Sequence, residues 1–213
     1  MRGGLAEQAA TVDVPGSGTL QARVSVPDGA RAGVVVCHPH PLYGGDMDSG
    51  LVLRAVEACA GLQLATLRFN FRGVGASGGA HDGGRGEQDD ARAALAELAR
   101  RLPAGSAVAL AGYSFGAAIA AAVAQDTPLG GLALIAPPLR VMPLASAPAV
   151  RGPVLIVVGA DDQYCPPSAL EPLRAALPAA TVTVIEGADH FFFGSLAALG
   201  DAVGSWADAL LAT

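Results

Sequence analysis

The 213-residue chain contains no lysine: all 13 basic residues are arginines, set against 19 acidic residues for a net charge of −6. Such a chain, without any basic run, suits neither nucleic acid nor an anionic membrane surface. The missing lysine, beside abundant alanine, arginine and glycine, reads as coding bias and carries no functional meaning. Cysteine is also scarce. Cys37, Cys59 and Cys165 are an odd number without C-x-x-C spacing, which excludes a disulfide framework and a structural zinc site and points to a reducing compartment. Only 15% of residues are charged while 52% are apolar, which excludes a disordered chain. No signal-peptide-like apolar stretch occurs before Val14, so a cytoplasmic protein is expected. The one long uncharged segment, Leu102 to Gln125, is interrupted by Pro103, Gly105, Gly112, Ser114 and Gly116. It reads as strand, turn and helix and not as a membrane span. The length suits one domain over residues 1–213.

What is present is an alternation. Short runs rich in Val, Leu and Ile occur at Val34–Cys37, Leu64–Phe71, Ala107–Ala111, Leu132–Ala136, Val154–Gly159 and Thr181–Ile185. Bounded by Gly and Pro, they read as strands buried on both faces of a parallel sheet. Helical patterns lie between and after them, at about Ser49–Cys59, Glu87–Arg101, Phe115–Ala124, Ser168–Leu177 and Leu196–Leu211. In the second, Glu87, Asp89 and Asp90 begin the helix and Arg100–Arg101 end it, an order that complements the helix dipole. Ahead of the alternation, Thr11–Val14 and Leu20–Val26 flank Pro15-Gly16-Ser17-Gly18, a hairpin signal. The pattern predicts an α/β fold with a mostly parallel central sheet, an N-terminal antiparallel hairpin and helices on both faces. Ligands in such sheets bind at the carboxyl ends of the strands.

The loops at those ends carry the chemistry. Gly112-Tyr113-Ser114-Phe115-Gly116 is a G-x-S-x-G sequence between a predicted buried strand and an Ala-rich helix. A nucleophilic serine on so sharp a turn leaves room only for glycine two residues before and after it. The plain alternative is a Gly-rich strand–helix connection. Of the four histidines, His190 follows the last predicted strand and so shares the sheet edge with Ser114, where it would serve as base. Asp161 and Asp162 follow Val154–Val158 at the same edge. One of them is expected to cap the turn and the other to orient His190. Gly73-Val74-Gly75-Ala76-Ser77-Gly78 matches the dinucleotide fingerprint literally. However, loop continues after it and no acidic residue ends the next strand, so it reads as a turn and no cofactor is expected.

The order Ser, Asp, His resembles that of the α/β hydrolases, and from about Val34 onward the chain is similar to the small lidless bacterial serine hydrolases. The resemblance rests on residues 38–45 (HPHPLYGG), 69–77 (FNFRGVGAS), 86–90 (GEQDD), the serine turn and 187–190 (GADH). It implies a carboxylesterase or thioesterase with a catalytic triad of Ser114, Asp162 and His190, acting on a small-molecule acyl substrate. Asp162 is chosen over Asp161 by this resemblance alone. The oxyanion hole is implied to use the backbone N–H groups of Phe115 and His40, with Leu42 as second choice; Pro39 and Pro41 have no N–H. His38-Pro39-His40 also suggests a metal pair, but rigid prolines fit a shaped turn better, and no metal is expected. Perhydrolysis, C–C bond hydrolysis and a non-catalytic binding protein are the other readings compatible with this fold.

No cap domain is expected. Caps in this family are inserted after the strand that follows the serine helix, and here only residues 137–153 are available, with prolines at 137, 138, 143, 148 and 153. Leu139, Val141, Met142 and Leu144 are expected to wall an open cleft. Of the run Phe191-Phe192-Phe193, core packing is the ordinary role, with at least one ring expected to line the acyl pocket.

Overall fold

The computed structural model describes residues 6–142 and 150–212. Its centre is an eight-stranded sheet in the order β1-β2-β4-β3-β5-β6-β7-β8. The strands are β1 (Gln8–Val14), β2 (Gly18–Ser25), β3 (Ala32–Cys37), β4 (Ala65–Phe69), β5 (Ala107–Tyr113), β6 (Leu132–Ile135), β7 (Val154–Gly159) and β8 (Thr181–Ile185). From β4 to β8 every neighbouring pair is parallel. The hairpin β1–β2 is antiparallel and joins the sheet through β2 against β4, with Ala22 opposite Phe69. Its strands begin earlier than the apolar run indicated, because Gln8, Ala9 and Ala10 pair along an exposed edge that hydropathy does not mark.

Period-two alternation divides the core between two faces. Val34, Val36, Ala109, Ala111, Ile135 and Val157 point to one side, against α1 (Gly50–Ala60) and α5 (Leu196–Leu210). Val35, Leu110, Leu132, Leu134, Ile156 and Val158 point to the other, against α2 (Arg85–Arg100) and α3 (Phe115–Val123). Alanines at 117, 120 and 121 let α3 lie close to the sheet, which sets where its N-terminus meets the strand ends.

One local reading needs correction and another needs extending. The pattern Ser168–Leu177 is not one helix: a 3-10 turn at Pro167–Ala169 precedes α4 (Glu171–Ala176). Pro172 lacks an N–H and is tolerated only in a first turn, so the helix restarts there. The acidic start of α2 does more than face the helix dipole. Glu87 is fully buried and accepts the N–H groups of Asp82 and Gly84, while Asp90, also buried, holds Arg72 at 2.7 Å. Between β6 and β7 the described residues form only turns and an isolated bridge, and no separate cap domain covers the sheet edge. Leu144 lies outside the described residues.

Candidate active site

Ser114 stands between β5 and α3 with φ 54 and ψ −115, a backbone conformation that L-residues avoid. The flanking glycines have a steric cause. A Cβ on Gly112 would run into the Gly116 carbonyl oxygen, and one on Gly116 into the carbonyl oxygens of Cys37 and His38. The turn is therefore pressed against both its own helix and the loop after β3. The Ser114 N–H is tied to the Ile135 carbonyl on β6 at 2.9 Å, and its side chain remains half-buried.

His190 reaches it from the loop after β8. Its Nε2 lies 3.0 Å from Ser114 Oγ and its Nδ1 lies 2.9 Å from Asp162 Oδ2. The other oxygen of Asp162 accepts the N–H groups of Tyr164 at 2.8 Å and Cys165 at 2.9 Å. Thus Asp162 both faces His190 and caps its own turn, where the sequence suggested that two aspartates share these tasks. Asp161 is exposed, and only its backbone takes part, donating to the Ala188 carbonyl at 2.9 Å. Burial alone would raise the Asp162 carboxyl. The hydrogen bond from His190, the Cys165 N–H, the imidazolium charge and the Tyr164 N–H outweigh it, and the group sits below its ordinary value. A carboxylate oxygen at Oδ2 only accepts hydrogen bonds, so Nδ1 carries the hydrogen and the neutral imidazole presents an unprotonated Nε2 to the serine hydroxyl.

Two supports of this geometry carry no sequence signal. Tyr113, inside the G-x-S-x-G turn, donates its hydroxyl to the His190 carbonyl at 3.1 Å and so joins the serine turn to the histidine loop. Burial, reinforced by Asp162 and Asp189, pushes that phenol up and keeps it a donor. Gly159 is the second: a Cβ there would meet the Ala188 and Asp189 carbonyls, so the aspartate strand end and the histidine loop touch through backbone. The cysteine thiols are buried and unpaired, and burial pushes Cys59 and Cys165 up to about 12. None of them competes with Ser114 as a nucleophile at neutral pH.

The loop after β3 is organised by its histidines. His38 Nδ1 lies 2.6 Å from the Pro39 carbonyl and Nε2 accepts the Phe71 N–H at 3.0 Å, so both ring nitrogens are committed to backbone. His40 precedes a 3-10 turn at Pro41–Tyr43. Its carbonyl accepts the N–H groups of Tyr43 and Gly45, each at 3.1 Å, and its Nδ1 accepts the Leu42 N–H at 3.2 Å. Its ring packs 4.8 Å from that of Phe115. Burial, and then the neighbouring His81, lower its basicity, which favours the neutral acceptor form. Among the described residues, no acceptor engages the N–H of His40 or of Phe115. The fingerprint-like glycines form a turn tied to β2, with the Gly78 N–H on the Thr19 carbonyl at 2.9 Å.

His38 makes stability pH-dependent. Burial pushes its imidazole down to about 4, partly opposed by the Pro39 carbonyl and Asp46. Between the ordinary 6.5 and about 4 the unfolded chain binds a proton that the folded chain refuses. The stability from neutral His38 is therefore complete above that window and is lost as pH falls through it. Denaturant midpoints measured at pH 7 and pH 4.5 should fall more for the wild type than for His38→Gln. Equal falls would show that His38 is not the group responsible.

An alpha/beta hydrolase domain family matches residues 31–198. The chain belongs to the α/β-hydrolase family. An uncharacterized protein of Rickettsia prowazekii is 35% identical over 169 residues, 74% of this chain and 71% of that protein. An alpha-beta serine hydrolase homologue from Coxiella burnetii is 34% identical, with 93% of this chain and 96% of that one covered at a TM-score of 0.82. A serine hydrolase without lid from Xanthomonas campestris is 32% identical, with 95% and 94% covered at a TM-score of 0.84. On this α/β-hydrolase fold, the Ser114–His190–Asp162 arrangement supports serine-nucleophile catalysis on an ester or thioester, as a serine hydrolase carries it out. Among the described residues, no helix is long and apolar enough to cross a membrane.

Proposed function

We propose that the protein hydrolyses a small-molecule carboxylic ester or thioester through an acyl-enzyme on Ser114, with His190 as general base and acid and Asp162 as its orienting carboxylate. The observation that carries this reading is the unbroken chain from Ser114 Oγ to His190 Nε2, 3.0 Å, and from Nδ1 to Asp162, 2.9 Å. Attack on the substrate carbonyl transfers the serine proton to Nε2, and the imidazolium then gives it to the leaving oxygen or sulfur. Water attacks the acyl-enzyme by the same route. The Phe115 N–H, at the first position of α3, and the His40 N–H stabilise the oxyanion. Two features support His40 over Leu42. Its N–H is without an acceptor among the described residues, whereas the Leu42 N–H is held by His40 Nδ1. The free thiols of Cys37, Cys59 and Cys165 suit a cytoplasmic enzyme.

A fluorophosphonate probe tests the reading directly. It should add to one residue, and peptide mass spectrometry should find the adduct on Ser114. Absence of labelling in folded protein would leave a binding role ahead of catalysis.

A further inference from the structure

Three aromatic rings crowd the outer side of His190. The Tyr164 ring lies 4.7 Å from the imidazole, the Phe191 ring 5.5 Å, and the Phe193 ring 5.8 Å from Phe191. Although next to a buried histidine, they are 39%, 47% and 77% exposed. Their placement is built into the backbone. Phe192, between the two phenylalanines, is fully buried and held at φ 52, a conformation that bulky residues avoid. The Asp189 carboxylate fixes the turn by accepting the N–H of Phe191 at 3.0 Å and of Phe193 at 3.3 Å. A buried anchor thus turns the two flanking rings toward solvent together. A fold that needed only core packing would gain nothing from this arrangement.

The reaction says which part of a substrate meets them. The carbonyl oxygen must lie toward the Phe115 and His40 N–H groups, whereas the leaving group must lie over His190, from whose Nε2 it takes its proton. We infer that the rim of Tyr164, Phe191 and Phe193 receives an apolar, uncharged alcohol moiety, so that the substrates are esters of bulky hydrophobic alcohols. This rests on the serine hydrolase reading above. The step balances simply: the Ser114 Oγ–acyl bond forms, the acyl–alcohol bond breaks, and the serine proton leaves on the alcohol oxygen. Charge excludes the principal thioester alternative. The segments 137–142, 160–166 and 187–194 hold one arginine, Arg140, against Asp161, Asp162 and Asp189. A coenzyme A leaving group would bring its phosphates to a rim that repels them. A quaternary ammonium alcohol is the competing occupant, because the three rings and the exposed Asp161 would also attract a cation, and acetylcholine tests it directly.

The experiment holds the acyl group constant as acetyl and varies the leaving group: ethyl, naphthylmethyl, choline and coenzyme A. Naphthylmethyl acetate should exceed ethyl acetate in kcat/KM by about tenfold or more, as expected for stacking on two rings. Acetyl-CoA and acetylcholine should fall below it. In Phe191→Ser/Phe193→Ser the naphthylmethyl-to-ethyl ratio should drop about tenfold, and in Phe193→Leu by less. Melting temperature and fluorophosphonate labelling of Ser114 report whether each variant keeps its fold and nucleophile. An unchanged ratio in labelled variants, or faster turnover of acetyl-CoA or acetylcholine, overturns the inference and leaves the serine hydrolase standing. Failure of wild-type labelling overturns both.

Discussion

Ser114→Ala should lose on the order of 10⁶-fold in kcat, because removing the nucleophile of a serine triad disables the whole unit. The fold should survive. Alanine keeps the Cβ, so the strained backbone at φ 54 is neither relieved nor worsened, and the N–H bond to Ile135 is untouched. Among the described residues the lost hydroxyl has one partner, His190 Nε2, and the half-buried position lets water take its place. Steady-state turnover of an activated ester, beside a thermal melt, checks both halves. A variant within tenfold of wild type would dissociate Ser114 from catalysis, and one that melts far lower would show that the hydroxyl supports the fold. Any residual rate measures what the proposed oxyanion hole and substrate binding contribute without the triad.

The parts of this site that were legible in the sequence are those where chemistry restricts residue type. Gly112 and Gly116 could be read because the turn admits nothing larger, and the structure places backbone carbonyls where their side chains would be. Ser114 and His190 could be read from position, since each follows a buried strand run and parallel strands bring those ends to one edge. Asp162 is different. Asp161 beside it has the same chemistry, and only a turn in which Oδ1 accepts two N–H groups while Oδ2 faces His190 separates them. That is a matter of which carboxylate points inward, and no local pattern encodes it. Tyr113 is more hidden still, because its partner, the His190 carbonyl, lies 77 residues away. Glu87 and Asp90 were legible only in part, for the opposite reason. Acidic residues at a helix start have a sufficient local explanation, which masks their burial against Gly84 and Arg72. In the triple phenylalanine only Phe192 takes the core role, and its two neighbours are exposed.

Asp162→Asn should reduce kcat by about 10⁴-fold, whereas Asp161→Asn should change it less than about twofold. The difference follows from the hydrogen bonds. As an aspartate, residue 162 accepts on both oxygens, from Tyr164 and Cys165 on one side and from His190 Nδ1 on the other. An asparagine has one accepting oxygen. If it keeps the two backbone N–H groups, its NH₂ faces His190, whose Nδ1 must then accept, and the ring proton moves to Nε2. That nitrogen points at Ser114 Oγ and now donates where it should receive, so the serine proton has nowhere to go. If the amide turns over, its NH₂ opposes the N–H groups of Tyr164 and Cys165, leaving buried donors unpaired and the turn destabilised. The first orientation removes the base, and the second keeps the ring tautomer only at the cost of the turn that holds residue 162 in place. Asp161 has no such stake, since it is exposed and bonds to Ala188 through a backbone N–H that asparagine retains. Parallel kcat and melting measurements on the two variants decide the matter. A larger loss in Asp161→Asn, at equal stability, would mean that the carboxylate orienting His190 in solution is not the one 2.9 Å from its Nδ1.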